Sequence, residues 1–265
     1  MIHSIIHNKA TRLFIILGGF FVANTLIAEV IGVKIFSLEE TLGFKPLKII
    51  LLGEKLSLNL TAGVLLWPVV FLMTDIINEY YGMKGVKFLS YLAAALITYA
   101  FVVFYGAMQL TPANFFVVSK QGSGVPNMQL AYEGVLGQGS KIIIGSIVAF
   151  IIGQLVDVFT FHKIKQVTGE KKIWLRATGS TLVSQFIDSY VVLFIAFYVG
   201  TRVGAKPGDF VWSFKLFLAV GTLNYIYKAL VAIILTPVIY LLHNVIESYL
   251  GHEKAAEMKN AAMLN

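Results

Sequence analysis

The run TLVSQFIDSYVVLFIAF, Thr181–Phe197, wraps Ser184, Gln185, Asp188 and Ser189 in a stretch apolar enough for lipid. Its ten Leu, Val, Ile and Phe residues favour insertion by roughly 3 to 6 kcal/mol, against about 2.5 to 3.5 kcal/mol for an aspartate at mid-helix. The segment therefore spans. A carboxylate at that depth is tolerated when it faces a packed interior or a wet cavity, which makes it a candidate functional group. The rest of the chain has the same character: 265 residues, 57% hydrophobic and 13% charged, with a mean hydropathy of +0.79, where soluble domains carry about 25% charge. An all-α integral membrane protein in a lipid bilayer is expected. The net charge of +7 is dispersed between apolar runs, so its counterpart is anionic headgroups and not nucleic acid. With no cysteine, disulfides, thiolate nucleophiles and cysteine metal sites are excluded. MIHSIIHNKATR leads into a long span holding Asn24 and Glu29, which reads as mature protein and not as a cleaved signal.

Windows of about 20 apolar residues fall near 12–33, 59–79, 86–109, 140–161, 174–199 and 214–243. They predict six transmembrane helices over residues 1–243, followed by a cytoplasmic helical tail, 244–265, that continues the last helix. With both termini inside, eleven Lys and Arg lie in cytoplasmic segments, Lys165, Lys171 and Arg176 among them, and nine in external ones, with Lys228 left inside the sixth span. The bias is small, but the short 162–173 connection carries four of the eleven, and short loops weigh most in setting orientation. Between Lys34 and Leu60 the alternation around Gly53-Glu54 predicts a short extracellular β-hairpin. The Gln109–Lys141 connection predicts turns flanking a short interfacial helix at Met128–Val135. These two connections form either a lid or ordinary external loops.

The second span places Asp75, Asn78 and Glu79 on one helical face, with Trp67 and Phe71 on nearly the same stripe. An aromatic surface beside a carboxylate suits a planar, hydrogen-bonding solute, although such rings also serve as core, and Glu79 lies close to the membrane interface. In the fourth span Gly145, Ala149 and Gly153 form a small-residue stripe for close helix approach, continued by Asp157. The tetrad QLVD, Gln154–Asp157, recurs as QFID, Gln185–Asp188. Thr181, Ser184, Gln185 and Asp188 extend a polar stripe over two turns, read as a cavity wall. In the sixth span Asn224 and Lys228 are one turn apart, and an ammonium at that depth needs a nearby acceptor. Asp188 is the expected partner, in an ion pair that fixes packing, takes part in transport, or both. Candidate substrate contacts are thus Trp67, Phe71, Asp75, Asn78, Gln154, Asp157, Ser184, Gln185, Asp188, Asn224 and Lys228.

No Gly-Lys dipeptide occurs, so no P-loop exists, and His252-Glu253 lacks the second histidine of a zinc-protease helix. No Gly-x-Ser-x-Gly elbow is present. An enzyme is not expected, nor a cofactor or a metal site.

FLMTDIINEYYG, GQLVDVF, RATGSTLVSQFIDSYVVLFIAF and NYIYKALVAIILTPVIY resemble the signature segments of the queuosine-precursor transporters, the vitamin uptake transporter group of bacterial inner-membrane proteins. The resemblance covers about residues 20 to 243. It implies import of a 7-deazaguanine, either 7-cyano-7-deazaguanine or its 7-aminomethyl relative, for tRNA queuosine salvage. It also implies a six-helix fold akin to the substrate-binding subunits of energy-coupling-factor importers, working without their ATPase module. Asp75, Asn78, Gln154, Asp157, Arg176, Gln185, Asp188, Asn224 and Lys228 occupy its motif positions. A guanine-like edge offers two adjacent donors that one carboxylate accepts, and a neutral solute accumulates only with a coupled ion, such as a proton on an intramembrane acid, or by metabolic trapping. Three readings compete: a permease, homodimeric through Gly145/Ala149/Gly153; a binding subunit that needs a separate energising partner; and an intramembrane enzyme or assembly protein.

Overall fold

A computed structural model describes residues 7–137, 140–169, 172–203, 205–207 and 209–264. The chain opens with α1 (Lys9–Ile31), capped by the Asn8 carboxamide oxygen, which accepts from the N–H groups of Ala10 and Thr11 at 3.0 and 3.2 Å. It runs through β1 (Ile35–Ser37), the one-turn α2 (Leu38–Thr41), β2 (Ile49–Leu51), β3 (Glu54–Leu56), β4 (Asn59–Thr61) and a 3-10 turn into α3 (Trp67–Met108). The short α4 (Asn114–Val118) and α5 (Met128–Leu136) follow, then α6 (Ser140–Thr168) and α7 (Ile173–Leu193), which a π-helical turn extends to Val199. Last come α8 (Phe214–Leu250) and α9 (His252–Leu264). Five helices, α1, α3, α6, α7 with its π turn, and α8, are long and apolar enough to cross a membrane.

Among the described residues these five include α3, which carries the two predicted spans 59–79 and 86–109 as two helical arms on either side of Gly82. It is not straight. Gly82 interrupts it with φ 70° and ψ −175°, a conformation that glycine adopts without penalty. Thr74 Oγ1 and Ser90 Oγ both donate to Gln154 Oε1, at 2.9 and 3.4 Å, although 16 residues of straight helix would separate them by about 24 Å. The helix therefore folds back at Gly82, and its two arms lie side by side against α6. Residues 59–66, placed by sequence in the second span, are instead β4, the 3-10 turn and Leu66. Pro68 in the first helical turn is pre-set for a helix start.

The predicted hairpin is present: β2 pairs with β3 across Leu52 and Gly53, both at positive φ, the turn geometry that matches strand twist. It is nested inside a second antiparallel pair, Ile35 opposite Thr61 and Ser37 opposite Asn59. The predicted interfacial helix is α5. At the other end of the bundle, which we call the base, Lys9 Nζ donates to the Tyr249 carbonyl (2.8 Å), and Tyr81 OH to the Ala10 carbonyl (2.7 Å). The start of α1, the Gly82 bend and the end of α8 thus meet there.

The tail departs from expectation. The last span runs past residue 243 to Leu250 and breaks at Gly251, whose φ is 89°. From there α9 turns back, burying Ala255, Met258 and Ala262, with Ala262 pressed on Gly82, where an added Cβ would stand 3.0 Å from the Ala262 carbonyl oxygen. The small-residue stripe of α6 is also used internally. A Cβ at Gly145 would meet the Ala196 nitrogen at 3.2 Å and one at Gly153 the Asp188 Cβ at 3.5 Å, so this stripe seats α7 and its π turn and is not a free face for a second copy. His3, Lys171 and Asn265 lie outside the described residues.

Candidate functional site

Among the described residues, a larger and a smaller cavity between α1, α3, α6, α7 and α8 share Trp67 and Lys228 as common walls. The larger, about 400 Å³, lies at the hairpin end, bounded by Ile35, Thr61, Gly134 and Gly137 of the connections. Its volume is in the range of small-molecule sites, roughly 300 to 1,000 Å³. The smaller, about 30 Å³, is near the share of one water molecule, about 30 Å³. It lies deeper, along the Trp67, Phe71 and Asp75 stripe of α3, opposite Thr181 and Gln185 of α7.

The larger cavity has aromatic and charged walls. Trp67 and Phe150 pack with ring centroids 5.8 Å apart, and Phe197 adds a third ring. Glu29, in the last turns of α1, is buried and accepts a hydrogen bond from the Ser146 hydroxyl of α6. Asp188 and Asn224 complete the polar wall. Lys228 Nζ meets Asp188 Oδ2 at 2.6 Å, the pairing expected from sequence; Asp188 lines the larger cavity and Lys228 lines both.

Below it the helices enclose a polar layer. Ser180 and Thr181 donate to the Asp75 carboxylate at 3.4 and 3.3 Å, and Ser184 to Asp157 at 3.0 Å. Asn78 Nδ2 reaches the Val158 carbonyl at 3.5 Å. Nearer the base, Glu79 is fully buried and accepts from Arg176 Nε and Nη2 at 2.9 and 2.6 Å, with Lys165 Nζ 3.2 Å from Oε2, the oxygen that also takes the Nε bond. The interface position considered for Glu79 is therefore corrected to a buried ion cluster. Lys165 and Arg176, counted above among cytoplasmic loop charges, belong to that cluster.

The expected contact residues are thus divided. Trp67, Asp188, Asn224 and Lys228 line the larger cavity; Trp67, Phe71, Asp75, Gln185 and Lys228 line the smaller; Asn78, Gln154, Asp157 and Ser184 line neither. Glu29, Ser146, Phe150 and Phe197 were not among them. Glu29 had the one legible signal, an acid inside a span, but its position near the span end left its exposure open, and nothing in the sequence distinguishes Phe150 from other core phenylalanines.

A family described as "Putative vitamin uptake transporter" matches residues 61–242, which hold α3, α6, α7 and nearly all of α8 up to Leu242. A Bacillus subtilis (strain 168) protein named "Probable queuosine precursor transporter" is 30% identical over 196 residues, 73% of this chain and 76% of its own length. A Haemophilus influenzae protein of the same name is 27% identical over 200 residues, 71% of each chain. The "Queuosine precursor transporter" of Escherichia coli (strain K12) is 26% identical over 182 residues, 68% of this chain and 70% of its own. No solved structure matches. With four polar-bearing spans inside the matched segment and its relatives aligned over most of their length, this chain belongs to the putative vitamin uptake transporter family.

Proposed function

We propose that this chain imports a queuosine precursor, 7-cyano-7-deazaguanine or 7-aminomethyl-7-deazaguanine, across the bacterial inner membrane. The observation that carries the reading is the cavity of about 400 Å³, walled by Trp67, Phe150 and Phe197 and by Glu29, Asp188 and Asn224, in a relative of proteins named for that cargo. A flat bicycle stacks on the rings, and the side-by-side donors of a guanine-type edge go to one carboxylate. In this reading Trp67, Asp188, Asn224 and Lys228 hold the substrate, joined by Glu29. Phe71, Asp75 and Gln185 of the smaller cavity line the route onward; Asn78, Gln154, Asp157 and Ser184, which line neither cavity, stand behind it.

The proposal includes six crossings, with the two arms of α3 counted separately, in an arrangement like the substrate-binding subunits of energy-coupling-factor importers. It places the base, with Lys9, Arg12, Lys84 and Lys87, on the cytoplasmic side, where an excess of Lys and Arg belongs. A homodimer would use an outward face other than the Gly145/Ala149/Gly153 stripe. Uptake of the uncharged 7-cyano form is coupled to a proton, and the carrier role calls for no catalysis. The test is labelled 7-cyano-7-deazaguanine offered to liposomes that contain the purified chain alone. Saturable entry is expected, whereas binding without entry unless a second protein is added overturns the permease in favour of an energised binding subunit.

A further inference from the structure

Asp75 and Asp157 differ from the other acids buried in this bundle. Glu79 is met by Arg176 and Lys165, and Asp188 by Lys228. Among the described residues, no ion pair reaches Asp75 or Asp157. What meets them is a row of hydroxyls from two successive turns of α7: Ser180 and Thr181 on Asp75, Ser184 on Asp157. Ser180, Thr181 and Ser184 lie within about one turn of α7, so the two carboxylates they hold are neighbours.

Two buried acceptors beside them lack a donor. Asp157 Oδ2 and Gln185 Oε1 have no hydrogen-bond partner, on residues 0% and 3% exposed. Gln185 shares the wall of the small cavity with Asp75 and Thr181. Like charges held together in apolar surroundings are not sustained without a counter-charge. A carboxyl O–H supplies a missing donor and removes one of the two charges.

We infer that the Asp75–Asp157 pair, cradled by Ser180, Thr181 and Ser184, is the proton-carrying site of uptake, distinct from the cavity that holds the substrate. This rests on the importer reading above and names the place of its coupling ion. The pair rests with one proton; release at the base breaks that O–H bond and passes the proton to bulk water, and the doubly charged pair left behind is short-lived, being reloaded by a proton from bulk water on the hairpin side. The charged and titratable groups around the pair are Glu79 with Arg176 and Lys165 toward the base, Asp188 with Lys228 toward the substrate cavity, His243 of α8 bonded to Tyr80, and Glu29 of α1. Because Lys228 lines the smaller cavity with Asp75 and the larger with Asp188, a change of charge at Asp75 acts on the Lys228–Asp188 ion pair.

The test compares two modes in liposomes containing the full chain: exchange of labelled for unlabelled 7-cyano-7-deazaguanine, and accumulation driven by an inside-alkaline pH gradient. Wild type is expected to do both, and Asp157→Asn to exchange without accumulating. Equal accumulation by Asp157→Asn overturns the assignment, as does wild-type accumulation that follows a sodium gradient instead. A wild type that neither exchanges nor accumulates defeats the importer reading, and the assignment with it. Infrared spectroscopy of the purified protein gives a readout independent of transport. A protonated-carboxyl band near neutral pH is expected in wild type, shifted in Ser184→Ala and lost in Asp157→Asn; its absence from wild type overturns the site even if the variants fail to fold.

Discussion

Glu79 concentrates more charge contacts than any other intramembrane acid described, with Arg176 and Lys165 both on its carboxylate and Arg176 also bonded to the Gly169 carbonyl at 2.9 Å. Removing one member of such a cluster strands the others in low dielectric, at a cost of about 3 to 5 kcal/mol. Glu79→Ala is therefore expected to lower Tm in detergent sharply, while Glu253→Ala in α9 does not; equal melting of the two variants would contradict the buried cluster. The sequence showed the acid but not its role. Its cations lie 86 and 97 residues away, in a segment whose basic residues look like loop charges until α6 and α7 are docked against α3. Lys228 and Asp188 were legible as a pair because each sits in mid-span, where an uncompensated charge has few alternatives.

At the scale of elements, Gly82 is the joint of the α3 hairpin and the seat of α9. Gly82→Ala puts a side chain at φ 70° and presses a methyl group on the Ala262 carbonyl, so both the bend and the docked tail are expected to loosen. Limited proteolysis reads this as faster cleavage around Gly251 than in wild type, and an unchanged cleavage rate would separate the tail from the hinge. The hairpin has its own anchor in Glu39, which is buried and accepts from the N–H groups of Leu58 and Leu47 at 2.7 and 3.4 Å and from the Ser37 hydroxyl at 3.2 Å. Burial opposes its charge, but these donors prevail and hold the carboxyl below the usual carboxylate range. A depressed folded-state value means that the contribution is complete above the ordinary glutamate range and lost as pH falls through the folded value. Hydrogen exchange at Leu58 should accordingly rise only in strong acid in wild type, and at neutral pH already in Glu39→Gln. The hairpin was legible around Gly53-Glu54, one residue from the turn at Leu52-Gly53, because a tight turn is a local matter of backbone sterics; the break between the second and third spans was legible too, but not that Gly82 makes it or that the two arms fold back on each other.

Taken whole, the bundle holds an aromatic-walled cavity toward the hairpin and a smaller one below it that share Trp67 and Lys228, with a hydroxyl-lined pair of acids beneath. Asp188→Asn removes the charge that holds Lys228 and alters the wall of the larger cavity. It is expected to abolish restoration of queuosine in cells unable to make the precursor, with the protein still inserted at wild-type level; full restoration would take Asp188 out of the mechanism. The amino-acid sequence alone determined the membrane class, the positions of the apolar runs and the tight turn of the hairpin. Each depends on the composition or backbone preference of a short stretch, read against the thickness of a bilayer or the sterics of φ and ψ. Tertiary structure alone decided that the two arms of α3 fold back side by side against α6, that the small-residue stripe seats α7, that the tail docks on Gly82, and that the expected contact residues divide between neighbouring cavities. Those outcomes depend on the rotation and depth of each helix, which are set by packing between segments far apart in the chain, and no local pattern encodes them.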